Sequence, residues 1–333
     1  MRIFRFLGLS ILIATFIISA NCGEDINIWE LLGGLKLPGN GVLTDVLGEG
    51  GYAYVASSED GVFICDVTEP DKPLDISQIT TDDEAVAVYK DGNYLYIADR
   101  NGGLLIYDIS NITSPFRVSS DFRAEVKAED VFVLANYAYW VGGSGFEGYL
   151  YILDVTDPTN PVQMSTTRIC DRLLTAIYVE NTYAYIVDYD GKFYVVDVSS
   201  PENPTLVAQV DETGEFQNSM GLDVEKAGNY IYLSDWGSGL YIIDVSKPDS
   251  PTIKQFVVFD DSVYDCSVLE TYAFVAVSHG GLVRLDINNP LAPFQDGPPI
   301  IPQSSSIVGV DVDSDYAYFI DTAMRYLYTV RIR

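Results

Sequence analysis

The chain has 333 residues, of which 48% are hydrophobic and 24 are tyrosines, so it is able to bury a large core. Its formal net charge of −29 excludes nucleic acid as a partner, because phosphate binding needs a basic surface. A charge of this size mainly keeps a protein soluble, and we expect a monomer.

The first element in chain order is a predicted secretory signal peptide, residues 1–21. Arg2 and Arg5 form a short basic region, and an apolar run follows over residues 6–18. This run is too short to span a membrane comfortably, and small residues follow it, as in secretory signals. We therefore expect secretion through the general secretory route.

Cys22 comes directly after this segment, in an arrangement that resembles a bacterial lipobox. Such a motif implies a lipid-modified thiol that becomes the first residue of the mature protein. The motif usually carries Leu three residues before the cysteine, whereas this chain has Ser19. We expect lipidation at Cys22, a tether over residues 22–27, membrane attachment through the lipid and an outer-membrane lipoprotein of the cell envelope. The alternative is plain cleavage near Ala20, which leaves Cys22 an ordinary thiol.

The rest of the chain consists of repeats. Residues 50–73 read GGYAYVASSEDGVFICDVTEPDKP, and residues 92–115 read GNYLYIADRNGGLLIYDISNITSP. The aspartate that ends the second apolar run recurs at intervals of 42 to 47 residues, with Arg331 in the seventh place. Its six positions are Asp66, Asp108, Asp154, Asp197, Asp244 and Asp286.

Each repeat divides into four predicted strands joined by turns rich in Gly, Asn and Asp. In the second repeat the strands cover Ala85–Tyr89, Tyr94–Ala98, Leu104–Ile109 and Phe116–Phe122. Short turns of this composition join antiparallel neighbours. A four-stranded unit of this length, repeated around a ring, is typical of a β-propeller.

The two ends of the chain predict how the ring closes. The seventh repeat stops after its third strand, whereas residues 28–37 resemble a fourth strand that precedes the first repeat. We expect this segment to pair beside Leu327 to Ile332, which removes two exposed sheet edges. The sequence thus predicts an all-β fold: residues 28–333 form a seven-bladed β-propeller of four-stranded antiparallel blades, closed by an N-terminal strand.

The third strands and their exits read LYIIDVSKPDSP, YVVDVSSPENP and LLIYDISNITSP. They resemble the LVIVD repeat family of bacterial and archaeal cell-surface proteins, and the resemblance covers about residues 42–333. It implies a surface-exposed β-propeller with no defined enzymatic activity and no catalytic residues. The chain departs from the pattern in the Pro-rich end of repeat six, residues 290–305, and at Arg331 in repeat seven.

Two recurring residue types have a structural and a functional interpretation. The six strand-ending aspartates suggest metal binding, but copies spread around a ring cannot converge on one ion, so we expect them to fix turns. The tyrosines alternate along the second strand and therefore share a face of the sheet. Packing between blades is the favoured interpretation, and a carbohydrate-binding array is the alternative. These tyrosines are Tyr52/Tyr54, Tyr94/Tyr96, Tyr137/Tyr139, Tyr183/Tyr185, Tyr230/Tyr232, Tyr272 and Tyr316/Tyr318.

A subtler set lies in the first strand of each repeat, which lines the channel of a propeller. Seven residues before the first aromatic residue of each second strand stand four acids and three small residues. The acids could form a partial ring that binds Ca²⁺ or another hard cation. The alternative is that they bond to backbone groups of the neighbouring blade. The acids are Asp45, Asp130, Asp223 and Asp265; the small residues are Ala87, Ala176 and Gly309.

Residues typical of catalysis are scarce. His279 is the only histidine and stands in a turn, which weakens Ser-His-Asp chemistry. Besides Cys22, the cysteines are Cys65, Cys170 and Cys266, and their odd number without a CxxC spacing argues against disulfides or a zinc site. We expect no enzyme and no cofactor, with Ca²⁺ as the alternative.

Three functions fit these features. The first is a surface scaffold that binds an unknown protein or glycan through its loops, since rigid elements with variable loops suit that role. The second is a structural component of the envelope, and the third is a metal-dependent periplasmic hydrolase with its site at the channel mouth. The longer insertions, at Gly142–Gly148, Asp211–Gly221 and Pro290–Ser306, are where a ligand-binding face is expected.

Overall fold

Each repeat folds as one four-stranded antiparallel sheet, and seven such sheets form the ring. The computed structural model describes residues 29–119, 126–210, 220–237, 239–302 and 305–333. The predicted signal peptide, Cys22 and the tether lie outside the described residues, as does most of the insertion at 211–221. Within the described residues, no helix has the length and apolar character needed to cross a membrane.

The first four blades follow chain order. Blade 1 contains β2 (Leu43–Glu49), β3 (Tyr52–Ser57), β4 (Gly61–Asp66) and β5 (Leu74–Ile79). Blade 2 contains β6 (Ala87–Asp91), β7 (Tyr94–Asp99), β8 (Gly103–Asp108) and β9 (Phe116–Arg117). Blade 3 contains β10 (Lys127–Leu134), β11 (Tyr137–Ser144), β12 (Glu147–Asp154) and β13 (Val162–Cys170). Blade 4 contains β14 (Leu174–Glu180), β15 (Tyr183–Asp188), β16 (Phe193–Asp197) and β17 (Thr205–Val210).

The last three blades include the one that combines both chain ends. Blade 5 contains β18 (Gly221–Ala227), β19 (Tyr230–Asp235), β20 (Gly239–Asp244) and β21 (Thr252–Val258). Blade 6 contains β22 (Val263–Leu269), β23 (Tyr272–Val277), β24 (Gly281–Asp286) and β25 (Phe294–Gln295). Blade 7 contains β26 (Ile307–Val312), β27 (Tyr316–Asp321), β28 (Tyr326–Arg331) and, as its outer strand, β1 (Glu30–Lys36).

The pairing of β1 with β28 closes the ring as predicted. The two strands run antiparallel, with Leu31 opposite Val330 and Leu35 opposite Leu327. Seven apolar clusters fill the seven spaces between neighbouring blades, including the space between blades 7 and 1. The prediction of seven blades, with the N-terminal strand completing the last, is confirmed.

Strand direction gives the ring two distinct faces. All turns between the second and third strands of a blade lie on one face, which we call the hairpin face. All turns between the first and second strands lie on the opposite face, which we call the turn face. Each first strand therefore begins at the hairpin face and ends at the turn face, and each outer strand, the fourth of its antiparallel sheet, runs the opposite way, from the turn face to the hairpin face.

The strand-ending aspartates fix turns, and the aromatic residues of the second strands pack between blades, as the repeat pattern predicts. Each strand-ending aspartate accepts a hydrogen bond from the backbone N–H two residues on, as Asp66 does from Thr68 at 2.9 Å. The second aromatic residue of each second strand is buried between blades; Tyr54, for example, is 1% exposed.

Two outer strands are shorter than the others. In blade 2 the predicted strand Phe116–Phe122 is confirmed only at Phe116–Arg117, and residues 120–125 lie outside the described part. Blade 6 also has a two-residue outer strand, followed by one bridge between Leu282 and Ile300. The prolines in this segment cannot donate ladder hydrogen bonds, which explains the irregular edge.

Candidate functional site

The central channel is lined by the first strand of every blade. In six of the seven blades the pairing of this strand shifts by one residue near its start. A β-bulge of this kind re-aims side chains, and two consecutive residues face the channel there, as Thr44 and Asp45 do. Because side chains alternate between the two faces of a strand, Leu47, two residues after Asp45, also faces the channel. The channel therefore has three layers of side chains.

The three layers follow one another from the hairpin face to the turn face. The hairpin-face layer comprises Thr44, Val86, Glu129, Thr175, Leu222, Tyr264 and Val308. The middle layer comprises Asp45, Ala87, Asp130, Ala176, Asp223 and Asp265, with Gly309 at the same register. The turn-face layer comprises Leu47, Tyr89, Phe132, Tyr178, Glu225, Ser267 and Asp311. Two cavities, of about 110 Å³ and about 190 Å³, meet at the middle-layer aspartates.

The four middle-layer aspartates join neighbouring blades. Asp45 Oδ1 accepts a hydrogen bond from the N–H of Val46 at 2.7 Å, and its Oδ2 accepts one from the N–H of Val88 in blade 2 at 2.8 Å. Asp130, Asp223 and Asp265 each bond in the same way to the next blade, with donors Ile177 at 2.7 Å, Cys266 at 3.2 Å and Val310 at 2.7 Å. These bonds agree with the structural interpretation of the set.

The same aspartates do not assemble as a chelating group. Among the described residues, no cluster of three or more Asp, Glu, His or Cys side chains is arranged to hold a metal ion. Burial raises the pKa of both Asp223 and Asp265, which favours neutral carboxyls over metal-binding carboxylates. The geometry gives the calcium alternative no support.

Burial dominates the electrostatics of the middle layer. It raises the pKa of Asp45 to about 6, although two backbone N–H groups favour the charged form. Burial also raises the pKa of Asp130 and Asp265 well above the usual range, and neighbouring carboxylates add to the effect. Burial therefore shifts the middle-layer carboxyls toward their neutral forms.

The sequence reasoning missed two further channel acids, Glu225 and Asp311. They stand two residues after Asp223 and Gly309, so strand alternation would have found them. Asp311 accepts hydrogen bonds from the Gly48 N–H at 2.8 Å and the Ser267 hydroxyl at 3.2 Å, and burial raises its pKa to about 6. Burial, followed by the charges of Asp311 and Asp265, raises the pKa of Glu225 well above the usual range.

Three exposed aromatic side chains lie on the hairpin face. They stand at the tips of the second-to-third-strand turns in three consecutive blades. Phe146 is 76% exposed, Tyr189 is 45% exposed and Trp236 is 42% exposed. We call these residues the aromatic tips. Aromatic residues of this kind are enriched where proteins bind partners.

A polar groove of about 500 Å³ lies between blades 3 and 4 beside two of the aromatic tips. Arg172 lies over the ring of Phe146, 6.0 Å from its centre, and also forms an ion pair with Asp190. Asp188 is buried and accepts a hydrogen bond from the hydroxyl of Tyr194 at 2.7 Å. The groove thus places fixed hydrogen-bonding groups next to exposed aromatic surface. Its lining also includes Arg168, Cys170, Asp171, Lys192 and Gln209.

His279 has neighbours that superficially resemble a catalytic triad. Its Nδ1 lies 2.8 Å from Asp261 Oδ2 and 3.2 Å from the Ser278 hydroxyl. A triad uses the two ring nitrogens for two different partners, whereas here both contacts converge on one nitrogen. The arrangement fixes a turn and does not activate the serine.

Comparisons with known proteins agree with this architecture. The family model described as the LVIVD repeat matches residues 41–81, 84–120, 126–168, 175–212, 221–258 and 262–295. No curated protein is significantly similar in sequence.

Solved structures show the same fold at low sequence identity. The WD40 β-propeller domain of Doa1 has a TM-score of 0.69 at 8% identity, with 92% of this chain and 98% of that chain covered. Sqt1 of Saccharomyces cerevisiae has a TM-score of 0.64 at 9% identity, covering 87% of this chain and 83% of that one. The computationally designed protein Ika8 has a TM-score of 0.64 at 8% identity, covering 91% and 99%.

Proposed function

The chain belongs to the LVIVD repeat family, and on that premise we propose that this β-propeller is a non-enzymatic scaffold that binds a protein or glycan ligand. The ligand-binding surface is the hairpin face. The observation that carries the proposal is the row of aromatic tips beside the polar groove. Rigid blades that present exposed turns are suited to recognition.

The chemistry of this surface fits a partly polar ligand. Aromatic rings offer large contact areas at a low cost in conformational entropy. Next to Phe146, Arg172 is held by its ion pair with Asp190, so its remaining N–H groups have fixed directions. A sugar or a peptide that covers Phe146 and Tyr189 would find donors and acceptors within the groove.

The proposal includes a location at the cell surface. We infer secretion by the general route, lipidation at Cys22, an outer-membrane lipoprotein and a monomer that binds no nucleic acid. The basic and apolar N-terminal segment and the net charge of −29 support these inferences. Mass spectrometry of the mature N-terminus tests the anchor, since an unmodified Cys22 thiol would contradict it.

The binding test uses a matched pair of surface variants. A pull-down against envelope and host extracts, together with a glycan array, identifies the ligand of the purified protein. The double variant Phe146→Ala/Tyr189→Ala should then weaken binding about tenfold or more, because aromatic anchors dominate such interfaces. Phe116→Ala removes a comparably exposed ring, 56% exposed, from an outer strand and should leave binding unchanged. Equal losses in both variants would contradict a hairpin-face site.

One observation favours the second candidate, a structural component of the envelope. Every blade exposes an apolar residue at the first or second position of its outer strand, near the turn face. These residues encircle the molecule, and exposed apolar surface often marks contacts with other proteins. They are Leu31, Leu74, Phe116, Val162, Leu206, Ile253 and Phe294. Loss of envelope integrity on Phe116→Ala, with binding by the aromatic tips unaffected, would favour this function.

A further inference from the structure

The cavity of about 190 Å³ at the turn face differs chemically on its two sides. One side is aromatic and is built by blades 2, 3 and 4. The other side is polar and acidic and is built by blades 5, 6 and 7. Leu47 of blade 1 separates them on one edge. We call this cavity the turn-face mouth.

The aromatic side is one continuous wall. The ring of Phe132 lies between those of Tyr89 and Tyr178, with centroid distances of 4.7 Å and 4.9 Å. The three rings are tilted against one another by 47° and 53°. The negative π-faces of aromatic rings attract cations.

The acidic side carries two carboxyls in the same layer. Asp311 is held in place by the Gly48 N–H and the Ser267 hydroxyl. For Glu225, the backbone N–H of Lys226 favours the charged form, against burial and the charges of Asp311 and Asp265. Burial raises the pKa of Tyr89 and Tyr178, and the charge of Glu225 adds to the shift of each.

No Lys or Arg of the described part of the chain forms an ion pair with these two carboxyls, Glu225 and Asp311. The nearest lysines at the rim are otherwise engaged: Lys90 pairs with Glu49 at 2.8 Å, and Lys226 pairs with Glu180 at 2.6 Å. Within the described ranges, these two lysines therefore add no free positive charge to the mouth.

We propose that the turn-face mouth binds an organic cation, namely an alkylammonium or guanidinium group, which contacts the aromatic wall and forms an ion pair with Glu225. The group belongs either to a free small amine or to a Lys or Arg side chain of another protein. A volume of about 190 Å³ is several times the share of one water molecule, about 30 Å³, so it accommodates such a group.

An organic cation fits this lining better than a metal ion does. Calcium requires six to eight oxygen ligands, roughly, and magnesium a near-ideal octahedron of them. The turn-face layer of the mouth offers two carboxyls and one hydroxyl opposite aromatic rings, and the four middle-layer aspartates at its base already accept backbone hydrogen bonds. The rings complement the apolar stem and the diffuse charge of an alkylammonium or guanidinium ion.

Binding should release protons. A cation next to Glu225 and Asp311 favours their charged forms, whereas burial favours the neutral ones. Isothermal titration calorimetry in two buffers of different ionisation enthalpy measures the number of protons released. A structural cavity without a ligand would show neither heat nor proton release.

The experiment titrates the soluble chain from residue 23 onward, which retains every described strand, with n-butylammonium chloride and ethylguanidinium chloride at constant ionic strength. We expect saturable binding to the wild type, weakened about tenfold or more in Glu225→Gln and about fivefold in Tyr178→Leu. The control Glu69→Gln removes an acid from an exposed loop, where it forms an ion pair with Lys72, and should bind as the wild type does. Melting temperatures of all variants show that each is folded.

Further titrations distinguish a free amine from a protein side chain as the natural ligand, and an organic cation from a metal ion. A peptide with one lysine should bind more tightly than n-butylammonium if a protein side chain is the natural ligand, and its acetyl-lysine counterpart should not bind. Calcium chloride that binds more tightly than either amine, or amine binding that Glu225→Gln leaves unchanged, would overturn the proposal. The site lies opposite the aromatic tips, so Phe146→Ala/Tyr189→Ala tests the proposed function without disturbing it.

Discussion

At the scale of single residues, Asp45 illustrates how a buried carboxyl holds two blades together. It takes one N–H from its own strand and one from the neighbouring blade, and thereby satisfies backbone donors that face the channel. Asp311 does the same between blades 7 and 1 through Gly48. In blade 7 the middle-layer position is Gly309, so the joining carboxyl has moved two residues along the strand.

The Asp45→Ala variant should be clearly less stable than the wild type. It leaves the N–H groups of Val46 and Val88 without an acceptor, which costs about 1–3 kcal/mol of unfolding free energy. Urea unfolding followed by tyrosine fluorescence measures the loss. Asp45→Asn retains one acceptor oxygen and should lose less, whereas unchanged stability in Asp45→Ala would refute the role of this residue in joining blades.

The sequence predicts the middle-layer aspartates and, as one of two interpretations, their bonds to the neighbouring blade, but it does not predict the turn-face mouth. Their fixed distance from the second strand places Asp45, Asp130, Asp223 and Asp265 in one register, and that much follows from repetition. The turn-face mouth does not repeat: Phe132, Glu225 and Asp311 occupy equivalent positions with different chemistry. Its division into an aromatic and an acidic side depends on which blades are neighbours across the ring, and this only the folded chain shows.

At the scale of strands, β1 joins the two ends of the chain. Leu37, the residue directly after β1, is 1% exposed and packs in the apolar cluster between blades 7 and 1. The sequence predicts this closure because the missing fourth strand and the extra N-terminal strand complement each other. It predicts the outer strands of blades 2 and 6 less well, since their short ladders depend on the local course of the chain.

The Leu37→Ala variant tests whether this closure stabilises the ring. Removal of a fully buried leucine side chain should cost about 2–4 kcal/mol, because it leaves a cavity in the seam between blades 7 and 1. Urea denaturation gives the value. Leu31→Ala, at a residue of the same strand that is 42% exposed, is the control and should cost less than about 1 kcal/mol. Similar losses in both variants would argue that β1 docks loosely.

At the scale of the whole molecule, the burial of acidic side chains and the negative net charge both make stability fall as pH rises. The chain carries a formal charge of −29, and several of its acids face a narrow channel. Burial raises the pKa of Asp45, Asp99 and Asp311 to about 6, above the usual value of 3.8. Between these values the folded protein binds more protons than the unfolded chain does, so unfolding releases protons and stability falls as pH rises.

The melting temperature should therefore be higher at pH 5 than at pH 8. The decline extends above pH 6 because burial, with the charge of Glu225, raises the pKa of Asp223 to about 8. Below the usual value of 3.8 the trend reverses, since the turn-fixing Asp66 and Asp244 have lowered pKa values and lose their stabilising charge there. Scanning calorimetry from pH 3 to pH 8 maps this profile, and Glu225→Gln should flatten its upper part. A melting temperature that rises steadily from pH 5 to pH 8 would show that the channel acids are not buried as described.

The direction of β1 also decides how an anchored molecule would stand on a membrane. Glu30 pairs with Arg331 at the turn face, and Lys36 pairs with Tyr326 at the hairpin face, so the chain enters the ring at the turn face. If Cys22 carries a lipid, residues 23–28 span only about 20 Å even when fully extended. The propeller would then be held close to the bilayer, with the turn-face mouth toward the lipid head groups and the aromatic tips directed outward, where a soluble or cell-borne ligand would meet them first.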